Sequence, residues 1–408
     1  MPKNKLRPEI RFEGYLNDWE FKTLKEVSNI YDGIHETPNY TKYGVKFLSV
    51  ENIKDLKTNK YISQKDFQTK YKTKPEYNDI LMTRIGDVGT TNVIKENRDF
   101  AYYVSLALIK PNKDIDSDFL SNLIKNNNTQ KSINDLSLTD AVPPKINLGK
   151  IYDIELFITK DIKEQQKIGT LFRSIDDQIW SQNQKIQKLE NVKKELLQKM
   201  FADKDNLVPK IRFEEFEGEW EKTEFKNIYI FAKEGSTPDT KNKNNYNFGS
   251  IPFAKIEETN DKYIFKTKSK ITEKGFRNSS TWLIPKNSIL YSNGATIGNV
   301  SINKIELCSK QGILGIILNN NFDLEFVYYL LNTDYFKKEV ETNVTIGTIA
   351  AIPLFRLKNI EIFFTTNLLE QQKIAKLFTT LDNVIKLNKQ KLEKLQNIKT
   401  TLLQKMFV

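Results

Sequence analysis

The chain has 408 residues, 39% of them apolar and 11% aromatic, enough for two or three domains with real cores, which excludes wholesale disorder. Lys and Arg number 63 against 52 Asp and Glu, and the net charge of +11 points to anionic partners, nucleic acid first among them. With one cysteine (Cys308) and one histidine (His35), a disulfide framework, a thiolate cluster and a multi-histidine zinc site are all excluded.

The opening Met1-Pro2-Lys3-Asn4-Lys5 leads into no signal-peptide core, and no apolar run reaches the ~18 residues of a membrane span. A reducing cytoplasm is the expected setting. Residues 1–160 read as a first mixed domain, opened by Pro8-Glu9-Ile10-Arg11-Phe12-Glu13 and Trp19-Glu20. Short β-type runs follow, such as Val45-Lys46-Phe47-Leu48-Ser49-Val50 and Ile154-Glu155-Leu156-Phe157-Ile158. Turn signals at Thr37-Pro38, Gly86, Gly89 and Pro143-Pro144 separate them.

Residues 161–203 lack proline, hold glycine only at Gly169, and are rich in Leu, Ile, Lys, Gln and Glu, which favour helix. A helix of about 39 residues would run near 58 Å. Its apolar stripe steps by four and three through Ile168, Phe172, Ile175, Ile179, Gln182, Ile186 and Leu189, the seam of a coiled-coil partner.

The chain then repeats itself. Residues 204–366 copy the first domain: Pro209-Lys210-Ile211-Arg212-Phe213-Glu214, Trp220-Glu221 and Thr237-Pro238 return in order. Ile62 to Leu81 lie on Ile271 to Leu290 without a gap, and Gly89 falls on Gly298. Residues 367–408 copy the helix, with Glu164-Gln165-Gln166-Lys167-Ile168 returning as Glu370-Gln371-Gln372-Lys373-Ile374. Leu196-Leu197-Gln198-Lys199-Met200-Phe201 returns unchanged at 402–407. The second stripe reads Ile374, Phe378, Leu381, Ile385, Asn388, Leu392 and Leu395. An α/β (α+β) fold is expected, with two similar globular domains joined by two long antiparallel coiled-coil helices in a pseudo-two-fold tandem duplication. If the helices pair so, Gln182 and Asn388 meet near their crossing and fix the register.

Catalytic motifs are missing. No G-x-x-x-x-G-K-[S/T] and no G-x-G-x-x-G occurs, the Asn-Pro-Pro-Tyr type of methyl-transfer tetrapeptide is absent, and no carboxylate pair stands out in both halves as an acid/base couple. A binding scaffold with two heads remains. Its candidate DNA contacts are Lys70, Tyr71, Lys72, Lys74, Arg84 and Asn92 in the first head. In the second they are Lys241, Lys243, Asn245, Tyr246, Arg277, Asn278, Ser279, Asn293, Lys310 and Gln311. Lys and Arg neutralise phosphates, while Arg on guanine and Asn or Gln on adenine read base edges.

The duplicated Trp19 and Trp220 segments, the Thr-Pro turns, the Asp79-Ile80-Leu81 and Ser288-Ile289-Leu290 strands and the two Glu-Gln-Gln-Lys-Ile motifs together resemble the specificity (S) subunit of type I restriction–modification systems. The resemblance covers nearly the whole chain. It implies two target-recognition domains, each reading one half of an asymmetric, interrupted double-stranded DNA site. The helices are implied to set the gap and to dock two modification subunits, which bind S-adenosylmethionine and methylate adenine N6; restriction (motor-nuclease) subunits join that assembly. This chain is then expected to hold no cofactor or metal and to be non-catalytic. Arg84 aligns with Asn293 and Gln68 with Arg277, so the heads should read different half-sites. A stand-alone sequence-specific DNA-binding protein or a coiled-coil scaffold is the alternative.

Overall fold

The structure, a computed structural model, describes residues 6–294, 296–345 and 350–408. The opening Met1–Lys5 therefore lies outside the described residues. Two compact units emerge: Met1–Gln184 with Lys389–Val408, and Lys185–Asn388. These units cut across the boundaries the repeats suggest, because each long helix is divided near its middle instead of forming a piece of its own.

In the first unit an antiparallel sheet runs in the order Ser28–Asp32, Leu106–Pro111, Ile80–Thr83, Thr91–Val93. Side chains alternate across a strand, and here both faces are covered. Ile80, Met82, Ala107 and Ile109 enter one core with Trp19 and Phe119; Leu81, Leu106 and Leu108 enter another with Phe47, Phe67 and Phe100. The second core is closed by a smaller sheet of Tyr61–Ile62, Val45–Leu48 and Phe100–Tyr102. A two-stranded ladder joins Glu20–Thr23 to Glu155–Ile158.

The second unit repeats this plan. Its main sheet runs Tyr229–Glu234, Ile313–Leu318, Ile289–Ser292, Val300–Asn303, Tyr263–Ile264, and its smaller one Ser269–Ile271, Ile251–Ala254, Cys308–Ser309. Ile289, Tyr291, Leu314 and Ile316 face the larger core; Leu290 and Ile313 face a smaller one. The matching ladder pairs Glu221–Glu224 with Glu361–Phe364.

The long helices span Ile162–Lys199 and Leu368–Lys405, 38 residues each. Asp161 caps the first by accepting from Lys163 N and Glu164 N, and Asn367 caps the second through Leu369 N and Glu370 N. Gly169 is required by a close approach: a β-carbon there would stand 2.4 Å from Asp116 Oδ1. In each unit the start of one helix lies antiparallel to the end of the other, with Asp176 bound to Lys399 in the first unit and Asp382 to Lys193 in the second. Ile168, Phe172, Ile175, Gln182, Ile186, Ile374, Phe378 and Ile385 are buried, and Ile179, Leu189, Leu381, Asn388, Leu392 and Leu395 are half-buried. Asn388 Nδ2 donates to Val384 O within its own helix.

The repeated motifs turn out to be joints. Glu164 is fully buried and accepts from Arg11 Nε (2.6 Å) and Nη2 (2.9 Å). Glu370 does the same with Arg212, at 2.7 and 2.9 Å. Gln165 Oε1 accepts from Asp116 N (2.9 Å) while its amide donates to Thr159 O (2.9 Å); Gln371 bonds Asp323 N (2.8 Å) and Thr365 O (2.8 Å). Each Pro-x-Ile-Arg-Phe-Glu segment also meets a helix end, Ile10 N to Lys405 O and Ile211 N to Lys199 O, both at 2.9 Å.

The larger core of each unit is closed from the other repeat. Phe407, from the second copy of Leu-Leu-Gln-Lys-Met-Phe, lies in the first unit with ring centroids 6.1, 5.7 and 5.6 Å from Trp19, Phe119 and Phe172. Phe201, from the first copy, lies in the second unit 5.9, 5.4 and 6.0 Å from Trp220, Phe326 and Phe378.

Candidate nucleic-acid interface

In the second unit, three separate stretches of sequence come together. Residues 272–277 form a cap and a short helix, Glu273–Arg277, on which the 239–246 turn rests: Thr272 N donates to Asn245 O (2.9 Å) and Thr272 Oγ1 to Asn244 O (2.8 Å). Tyr246 Oη reaches back to Pro238 O, and Gln311 N approaches Thr237 Oγ1 at 3.4 Å. Lys310 is fixed by its backbone N on Ala254 O, and Thr281 Oγ1 donates to Ser309 O at 3.2 Å. On these stretches Lys241, Lys243, Arg277, Asn278, Lys310 and Gln311 are exposed, while Tyr246 and Ser279 are half-buried. Burial and the nearby Asp239 raise the Tyr246 phenol above its ordinary range, so the ring stays neutral.

Two of the expected contacts in this unit face inward. Asn245 is buried and its amide donates to Asp239 O (3.0 Å), holding the turn. Asn293 is buried and donates to Ile352 O (3.3 Å). Neither is open to an outside ligand, because a short amide satisfies local backbone carbonyls at little entropic cost.

The first unit sorts its candidates the same way. Lys70 and Lys72 are exposed, Lys70 within 3.0 Å of Glu36 beside the Thr37-Pro38 turn. Lys74 is half-buried with its ammonium 4.9 Å from the Phe67 ring. Tyr71 is buried in the core, its hydroxyl donating to Tyr102 O at 3.1 Å, so it serves packing and not an outward contact. Arg84 is spent on the fold. Its guanidinium binds Asp32 and donates to Val104 O (3.3 Å), and Asp32 also meets His35 Nε2 at 3.0 Å. Asn92 donates to Ile53 O (2.8 Å) and Lys54 O (3.2 Å). Arg84 and Asn293 do occupy equivalent places: each accepts the backbone N of the loop that follows, Ile146 or Ile352, at 2.9 Å.

The structure adds residues that the sequence reading passed over. Tyr40, Lys42, Tyr43, Lys57 and Lys60 are exposed around the small sheet, where Thr41 N donates to Tyr61 O at 2.8 Å. Lys60 pairs with Glu51 at 2.6 Å, which lowers that carboxyl and raises the lysine. The aromatics interleaved with lysines at 40–46 are the signal in the sequence that marks them. Cys308 is buried with its thiol pushed up to about 11 by burial, which makes it an inert core residue.

A duplicated scaffold that exposes different lysines and arginines in its two copies, each on its own core, is the build of a two-headed binding protein. The comparisons give its family. The sequence profile of the type I restriction modification DNA specificity domain matches residues 17–191 and again 217–397, and the chain belongs to that family. A putative type I restriction enzyme MjaX specificity subunit from Methanocaldococcus jannaschii is 25% identical over 406 residues, covering 95% of this chain and 92% of that protein. The MjaIX specificity subunit of the same organism is 32% identical over 193 residues, 47% of this chain and 44% of that protein. Among solved structures, the S subunit of a type I restriction–modification system from M. genitalium superposes with a TM-score of 0.65 at 18% identity, covering 98% and 99% of the two chains. A chain from work on complex assembly and conformational transition of the type I R-M system gives 0.55 at 12% identity, covering 94% and 96%. The protein is a DNA-specificity subunit of the type I class with two recognition domains. Among the described residues, no helix is long and apolar enough to cross a membrane.

Proposed function

We propose that each unit reads one half of an asymmetric, interrupted site in double-stranded DNA and that the long helices set the distance between the halves. The observation that carries this is one scaffold bearing two unlike surfaces. Lys241, Lys243, Arg277 and Lys310 stand out from the second unit, where the first presents Lys70 and Lys72 beside a tyrosine–lysine cluster. Equal frames with unequal contact residues suit unequal half-sites.

The same reading has the helices dock two modification subunits that carry S-adenosylmethionine and methylate adenine N6, with restriction subunits joining them in the cytoplasm. This chain supplies recognition and holds no cofactor. The similar structure from work on type I complex assembly is in keeping with such docking. The deciding experiment is a single-base map of N6-methyladenine in cells with and without the gene. Loss of one interrupted, asymmetric motif supports the reading and gives both half-sites at once. An unchanged map, with the methyltransferase partner expressed, transfers the weight to a stand-alone DNA-binding or scaffold protein.

A further inference from the structure

Two rings stand bare on the surface. Tyr43 is 75% exposed and Phe248 fully so, at 103%. They hold matching places in the duplicated fold, since each is followed by a glycine pressed against the same position of the repeat. A β-carbon on Gly44 would lie 2.1 Å from Ile62 O, and one on Gly249 would lie 2.7 Å from Ile271 C. Ile62 and Ile271 in turn pair with the strands just after those glycines, Val45–Leu48 and Ile251–Ala254. The second copy has one more residue before its strand, Ser250, and keeps the ring all the same. Only glycine allows the backbone to pinch so tightly, and in both copies the side chain before it is exposed.

These tips are held, not loose. Thr41 Oγ1 donates to Tyr43 O at 2.7 Å, while Gly249 N donates to Tyr246 O at 3.0 Å and Asn247 N to Lys243 O at 2.8 Å. Phe248 sits at φ 59°, in the left-handed region where glycine is at ease and a bulky side chain is not. A strained backbone that holds a large apolar ring in water does nothing for the unit's own stability, and such outliers gather at functional sites.

Cations lie close in the chain to both rings. Lys42 Nζ lies 5.6 Å from the Tyr43 ring centroid, and residues 40–60 carry Lys42, Lys46, Lys54, Lys57 and Lys60 against Glu51 and Asp55. The Phe248 turn carries Lys241 and Lys243 against Asp239, and rests on the helix that bears Lys274 and Arg277 against Glu273. An apolar ring among cations suits a stacked polyanion better than it suits an apolar protein face.

We propose that Tyr43 and Phe248 are wedges, one to each recognition domain, that press against a base step of bound duplex DNA and partly unstack it while the flanking lysines take the phosphates. Aromatic and aliphatic wedges of this kind kink duplexes elsewhere. The proposal rests on the DNA-specificity reading and adds to it a mode of contact. Because the ring and not the hydroxyl does the work, tyrosine and phenylalanine are interchangeable at the two tips.

The test uses the full chain with the subunits that co-purify with it, and the duplex that the wild type selects from a randomised pool. Tyr43→Ala and Phe248→Gly should each weaken binding to that duplex about tenfold, the scale of one lost base–aromatic contact; Tyr43→Phe should bind as the wild type does. Phe248→Gly separates ring from fold, since glycine relieves the backbone and the melting temperature should hold or rise. With 2-aminopurine placed in turn along the duplex, one step under each head should brighten on binding, and Phe248→Gly should darken only the second. Variants that bind like the wild type would sink the wedge and leave the specificity reading standing. Variants that keep DNA but lose a subunit or self-association would also sink it, assigning the rings to protein docking. A wild type that selects no duplex would overturn the DNA reading itself and the wedge with it.

Discussion

A buried carboxylate is tolerated only where its charge is met, and Glu164 and Glu370 have one bidentate arginine each. Replacing Arg212 with Met leaves Glu370 charged in the interior and should cost about 3–5 kcal/mol, whereas removing both partners (Arg212→Met with Glu370→Leu) should cost far less. Chemical denaturation gives the totals, and amide exchange should place the loss in the second unit. A second charge sits less comfortably. Lys125 ends the helix Ser117–Lys125, and burial first, then Lys399, hold its ammonium down to about 8 despite Asp176 and Asp118. The unfolded chain therefore binds this proton up to about 10.5, where the folded chain has already released it. Stability should rise with pH across that interval, with the full penalty present below pH 8. Lys125→Met should abolish that part of the slope and stabilise the protein at pH 7, by up to about 3 kcal/mol. Thermal melts of the two proteins from pH 7 upward check both statements.

At the level of elements, the four-and-three stripe marks both long helices within a few residues, 161–203 and 367–408 expected against Ile162–Lys199 and Leu368–Lys405 found. The β-run at 45–50 is likewise seen as Val45–Leu48, and that at 154–158 as Glu155–Ile158. Periodicity reports which face is buried but not what it is buried against. Nothing in the sequence of Leu-Leu-Gln-Lys-Met-Phe says that each copy plugs the core of the opposite head. Phe407→Ala should thus cost about 3–5 kcal/mol in the first unit, and Phe201→Ala a similar amount in the second. Exchange protection of Ile80–Thr83 against Ile289–Ser292 would tell the two apart. Polar contact residues are harder still to read. Tyr71, Arg84, Asn92, Asn245 and Asn293 carry the same donors and acceptors whether bound to backbone carbonyls or open to DNA, and only the tertiary structure decides. The exposure of Tyr43 and Phe248 is equally hidden in the sequence, where nothing separates an aromatic beside a strand from a core residue.

Across the whole molecule the two heads share a frame and no surface, so a base-edge contact in one should act on one half-site alone. Arg277 is the exposed arginine of the second surface. Arg277→Ala should relax one position of one half-site at a cost of about 1–3 kcal/mol, with the other half read as before. A methylation map of the variant shows this directly, and equal loss at both halves would refute independent reading. The exchange of helix ends between repeats reaches further, into the order of synthesis. The second unit, 185–388, is continuous in the chain and can close as it leaves the ribosome. The first cannot. Its core lacks Met406 and Phe407 until about 200 further residues have been translated, roughly 10–40 s at 5–20 residues per second. Through that interval Trp19, Phe119 and Phe172 face an unfilled gap. A chain shortened to residue 400 should show, by limited proteolysis, an open first unit and a closed second. The head made first is the head finished last, and a broken message yields no chain with both heads closed.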